Sequence, residues 1–104
     1  MQSKSKYLHL NGTNVKQVNE NGSPKNGEFF AEDKKTILRF KNGFLDGDID
    51  TKDGLIVKPA VEGNGHQEYW RSNKLHRDNE MPAVISDGFA QREYWVNGVK
   101  KEII

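Results

Sequence analysis

Residues of like character recur two apart in several short stretches of this chain: Leu8 with Leu10, Leu38 with Phe40, and Tyr94 with Val96. A spacing of two places both side chains on one face of an extended strand. No segment keeps the i, i+3, i+4 apolar pattern of an amphipathic helix, and glycine or proline interrupts almost every stretch of ten. The extended stretches end on turn signals, since Asn11/Gly12, Asn42/Gly43 and Asn97/Gly98 each follow one and Ser72/Asn73 stands in the same place after QEYWR. Asn-Gly accepts positive φ at both central positions of a type I′ turn, which makes it the strongest short hairpin signal. The pattern predicts an all-β protein, an antiparallel hairpin-repeat (meander) sheet of about eight strands with no long helix.

The turns also set a repeat. Their first residues fall at 11, 42, 72 and 97, separated by 31, 30 and 25 residues, the scale of a small β-unit. PAVEGNGHQEYWRSNK (59 to 74) and PAVISDGFAQREYWVNGV (82 to 99) match with a two-residue insertion before the second EYW. A weaker copy, EFFAEDKKTILRFKNG (28 to 43), has Phe40 where the others have Trp70 and Trp95, and KYLHLNG offers His9 there. The expected organisation is one domain over 1–104, with 1–27 a divergent first unit and 28–104 the better-matched repeats. Terminal units of an array cap it and so diverge. Within a copy, the adjacent aromatics Tyr69/Trp70 and Tyr94/Trp95 must point to opposite faces, with one of each pair more exposed.

Composition narrows the function classes. With 34% hydrophobic and 30% charged residues over 104 positions, the core is modest and its ring-bearing residues carry the packing. Sixteen Lys and Arg against fifteen Asp and Glu leave a net charge of +1, which supplies no general attraction to nucleic acid or an anionic membrane. The absence of cysteine removes disulfide and thiolate chemistry and fits the cytoplasm. No apolar run reaches signal-peptide or membrane-span length.

The stretch EYWRSNKLHRDNEMPAVISDG resembles the repeat W-x-N-G-K-L-H-R-x-x-x-L-P-A-V of small bacterial and phage proteins, related to the MORN-type hairpin repeats. Trp70, Lys74, Leu75, His76, Arg77, Pro82, Ala83 and Val84 stand at its positions, while Ser72/Asn73 replaces Asn-Gly and Met81 replaces Leu. The last unit has Lys100/Lys101 in place of His-Arg, so the His-Arg element occurs once. The resemblance implies a hairpin array of the kind associated with scaffolding, protein or lipid contacts and antitoxin-like proteins. It implies no catalytic residue. It also suggests a phage- or prophage-encoded small inhibitor of a bacterial defence enzyme, anti-CRISPR-like in type, or an immunity-like protein.

The same residues admit other chemistry. His76 and Arg77 beside Asp78 and Glu80 could move protons, yet there is no Gly-x-Ser-x-Gly nucleophile motif, and cross-strand contacts that hold the register are the plainer use. Asp46, Asp48, Asp50 and Asp53 crowd one stretch, but counting from Asp46 an EF-hand would need Gly where Thr51 stands and Glu where Val57 stands. A solvated strand face is the expectation there, with no metal and no cofactor. The expected activity is non-enzymatic protein binding through Tyr69, Arg71, His76, Arg77, Arg92 and Tyr94, because exposed aromatic and arginine side chains are favoured anchors. Single-stranded nucleic acid stacked on a Tyr/Trp/Arg face is the alternative, and homodimerisation through a sheet edge is another use of the same surface.

Overall fold

The computed structural model describes residues 5, 7, 16–47, 58–63, 65–78 and 80–101. Among them there is no helix, and ten short strands follow one another: β1 Gly27–Phe30, β2 Ile37–Lys41, β3 Phe44–Leu45, β4 Val61–Gly63, β5 His66–Glu68, β6 Trp70–Arg71, β7 Lys74–Leu75, β8 Val84–Ser86, β9 Gln91–Val96 and β10 Val99–Lys101. One antiparallel sheet runs β1-β2-β4-β5-β8-β9-β10 with β3 also on β2, and β6 pairs with β7. The all-β hairpin meander read from the spacing of two is therefore the fold. The turn Asn11/Gly12, together with Leu8, His9 and Leu10, lies outside the described residues.

Three of the marked turns are two-residue hairpins with positive φ at both centres. Asn42 and Gly43 have φ of 54° and 89°, Ser72 and Asn73 of 49° and 67°, Asn97 and Gly98 of 50° and 79°. These are the signs that a type I′ turn requires, and its twist matches that of the flanking strands. Ser72 carries the same backbone without the asparagine preference for it.

The turns bring equivalent residues into register. Phe40 faces Leu45, Trp70 faces Leu75 and Trp95 faces Lys100, so the aromatic of each copy holds one structural position. The units join through the same backbone bonds: Arg39 N–H to the Ala60 carbonyl at 2.8 Å, and Tyr69 N–H to the Ala83 carbonyl at 2.7 Å. Gly47 N–H reaches the Trp70 carbonyl at 2.9 Å, as Arg77 N–H reaches that of Trp95 at 3.2 Å. The array extends towards the N-terminus in the same manner. Val18 bridges Pro24, and Gly43 N–H donates to the Lys25 carbonyl at 2.8 Å, as Gly98 N–H does to Leu75.

The two-residue insertion falls in a hairpin loop: Gly63 pairs with His66, whereas Ser86 pairs with Gln91. Those loops touch. A Cβ on Gly65, whose φ is +69°, would stand 2.7 Å from the Gly88 Cα, so only glycine suits that approach.

One sheet face builds the core. Leu38, Phe40, Leu45, Ala60, Val61, Tyr69, Trp70, Leu75, Ala83, Val84 and Trp95 are buried in a single cluster, with Tyr7 and Phe29 packed against it. The opposite face carries Arg39, Tyr94, Arg92 and Lys101, as the cross-strand pairs require, and Tyr69, buried with the core cluster, lies between two strands.

Candidate functional site

Polar groups enter the core at repeated positions. Trp70 Nε1 donates to Glu68 Oε1 at 2.9 Å, and Trp95 Nε1 donates to Glu93 Oε1 at 3.0 Å. Glu68 is fully buried and also accepts from His66 Nε2 at 2.7 Å and from Ser5 Oγ at 2.7 Å. A buried carboxylate is tolerable when several donors meet it. Ser5 is thereby held at the core face, and Tyr7 lies beside it. Burial first, and then the charges of Glu68, Asp33 and Glu32, raise the Tyr7 phenol pKa above its ordinary value.

A second repeated device sits at the turns. Asn42 N–H donates to Asn26 Oδ1 at 2.8 Å, Ser72 N–H to Asp46 Oδ2 at 3.1 Å, and Asn97 N–H to His76 Nδ1 at 3.0 Å. In each case a δ atom of the preceding unit holds the first residue of the next turn. His76 therefore carries its ring proton on Nε2 and donates it to Asp78 Oδ1 at 2.7 Å. Arg71 Nη1 meets the other oxygen of Asp78 at 3.1 Å. The His76 hydrogen bond, with the nearby Arg71 guanidinium, holds the Asp78 pKa below its ordinary value against a smaller desolvation cost.

These contacts correct the expectation of a solvated aspartate stripe at its first member. Asp46 is only 5% exposed, because its carboxylate is needed at the Ser72 turn. Asp48, Asp50 and Asp53 lie outside the described residues.

Arg39, Tyr69 and Tyr94 occupy one position in three successive units, since each directly precedes the buried aromatic of its copy, Phe40, Trp70 or Trp95. Their surroundings differ. Arg39 Nε and Nη1 reach Glu28 and Glu62, both at 2.8 Å. Burial works against that charge, but the hydrogen bonds to Glu62 and Glu28 outweigh it and raise the Arg39 pKa. Tyr69 lies under the Arg77 guanidinium, 3.8 Å from the ring centroid, and is only 7% exposed. Arg77 Nη1 also donates to the Pro82 carbonyl at 3.2 Å, as Arg39 Nη1 does to Pro59 at 2.7 Å. Tyr94 is half-buried.

An open cleft of about 400 Å³ lies between the last two units, lined among others by His76, Arg77, Met81, Tyr94, Val96 and Lys101. Met81 and Val96 are 44% and 40% exposed. No family model, curated protein or solved structure matches this chain. The site therefore stands on its own geometry.

Of the six residues singled out in the sequence, His76, Arg77 and Tyr94 line this cleft. Arg71 reaches it through Asp78, and Arg92 is exposed on β9, on the same face as Tyr94. Tyr69 differs: Arg77 covers its ring, so it offers a partner little surface. Sequence reasoning missed Met81, Val96 and Lys101. The exposed Met81 in place of the repeat's leucine and the Lys100/Lys101 replacement were the signals that could have found two of them.

Proposed function

We propose that this protein is a non-enzymatic, cytoplasmic protein-binding module that engages its partner through the cleft between its last two units. The convergence of Arg77 and Tyr94 with the exposed apolar side chains of Met81 and Val96 carries this reading. An aromatic ring, an arginine and apolar rim atoms in one concavity are the composition of an interface anchor. The His76 ring supports binding over proton transfer, because both of its nitrogens are engaged, one by the Asn97 amide and one by Asp78. A small inhibitor or antitoxin-like protein works in this way, by occupying another protein's surface. The link to phage and to a defence enzyme rests on the repeat resemblance alone.

The test is an affinity pull-down from bacterial lysate with the intact protein, in nuclease-treated and untreated halves. One stoichiometric protein in both halves supports the reading. Recovery that vanishes after nuclease makes the Tyr/Trp/Arg face a nucleic-acid surface. The Arg71/Arg77/Tyr94 triple alanine variant should lose the captured protein while keeping its fold.

A further inference from the structure

The two halves of the outer face treat their cations differently. In the N-terminal half Arg39 holds two carboxylates, Glu28 and Glu62, at 2.8 Å each. In the C-terminal half Arg77, Arg92 and Lys101 have no carboxylate partner among the described residues. These three surround Tyr94. Lys101 is its direct cross-strand neighbour, Arg92 lies two residues back on the same face of β9, and Arg77 lines the same cleft. Asp78 and Glu80 also line it, but Asp78 is occupied by Arg71 and His76, and Glu80 leaves the cations in the majority.

Tyr94 stands where Arg39 stands two units earlier, and whereas Arg39 is met by two carboxylates, among the described residues Arg77, Arg92 and Lys101 are paired with none. We infer that a partner supplies them: the patch binds an acidic protein segment, its carboxylates facing Arg92 and Lys101 and an apolar or aromatic side chain entering the cleft against Tyr94, Met81 and Val96. This rests on the protein-binding reading and names the chemistry of the partner. Opposite charge across an interface steers encounter and sets the register. Protein fits better than single-stranded nucleic acid. A strand of bases needs successive stacking platforms, whereas Tyr69 is covered by Arg77 and Trp95 is 7% exposed; the rim carries Met81, Val96 and Val99 in place of further cations.

Fluorescence anisotropy of the intact protein with a labelled synthetic peptide, one phenylalanine flanked by glutamates, tests the inference. Arg92 and Lys101 are exposed, so the double variant Arg92→Glu/Lys101→Glu should keep the wild-type melting temperature. The expected result is saturable binding that weakens with added salt, falls at least about tenfold in the double variant, and is absent when the glutamates are replaced by lysines. Equal binding of both peptides, or of both proteins, overturns the inference. Tighter binding of an oligothymidylate that displaces the acidic peptide overturns it in favour of nucleic acid. A protein captured from lysate and still held by the double variant sinks the acidic-partner assignment alone. Failure to capture any protein, beside intact peptide selectivity, sinks the broader reading alone.

Discussion

Trp95 donates its indole N–H to Glu93, two residues back on the same buried face of β9, and Trp70 does the same to Glu68. The motif Glu-Tyr-Trp is thus one device used twice, an inward tryptophan whose polar atom is met by the glutamate one pleat away. Without that acceptor the N–H is buried unpaired. Glu93→Leu should cost about 1–3 kcal/mol in urea denaturation. Glu68→Leu should cost more, about 3 kcal/mol or above, because it also strands His66 Nε2 and Ser5 Oγ. Equal losses in the two variants would show that His66 and Ser5 contribute nothing at Glu68.

The fold was legible because its signals are local. Asn42/Gly43 and Asn97/Gly98 mark turns by backbone preference, and the spacing of two marks the strands between them. The buried glutamates were less so: Glu68 and Glu93 stand two residues before Trp70 and Trp95 and so share their face, but a carboxylate on a strand reads as solvent-facing until the donors that meet it are in place. The turn clamps were illegible for a related reason. Asn26, Asp46 and His76 have little in common as residue types, and their shared feature, a hydrogen-bond acceptor at the δ position, matters only once the next turn lies against them. At the candidate site the sequence picked out the arginines and Tyr94, but that Arg77 lies over the Tyr69 ring across the Ser72/Asn73 hairpin, 3.8 Å from its centroid, depends on side-chain placement that the turn signal does not give.

That equivalence of δ atoms makes a substitution experiment possible at His76. His76→Asn keeps an oxygen where Nδ1 accepts from Asn97, as Asn26 does for Asn42. His76→Ala removes it and should cost about 0.5–1.5 kcal/mol, with faster amide exchange at Asn97. The asparagine variant should recover the Asn97 protection while losing the bond to Asp78. If both variants exchange alike, the clamp does not hold the turn.

Asp78 sets the acid side of stability in this region. Its folded pKa lies below the unfolded value because His76 donates to it and Arg71 stands beside it. A depressed pKa contributes stability that is fully present above the unfolded value and is lost as pH falls through the folded one. Thermal melts from neutral pH downwards should therefore decline below the ordinary aspartate range. The decline should be shallower in Asp78→Asn. Superimposable acid limbs would mean that the carboxylate is not held in solution as it is here.

Tyr7 governs the opposite limb and reports its own packing against the core. Its phenol is pushed above the ordinary value by burial and by the nearby carboxylates Glu68, Asp33 and Glu32. A raised pKa means the folded state holds its proton more tightly, so the contribution is complete below the unfolded tyrosine value and disappears as pH rises through the folded one. Absorbance titration at the tyrosinate band should show one tyrosine ionising later in the wild type than in a denatured control. Tyr7→Phe should remove that late step and weaken the alkaline loss of stability. The Ser5→Ala variant separates the Ser5 anchor from local burial: by cutting the bond to Glu68 it should bring the Tyr7 titration back towards the ordinary range if Ser5 holds Tyr7 in place. An unchanged titration in Ser5→Ala would place the anchoring in the packing of Tyr7 against the core.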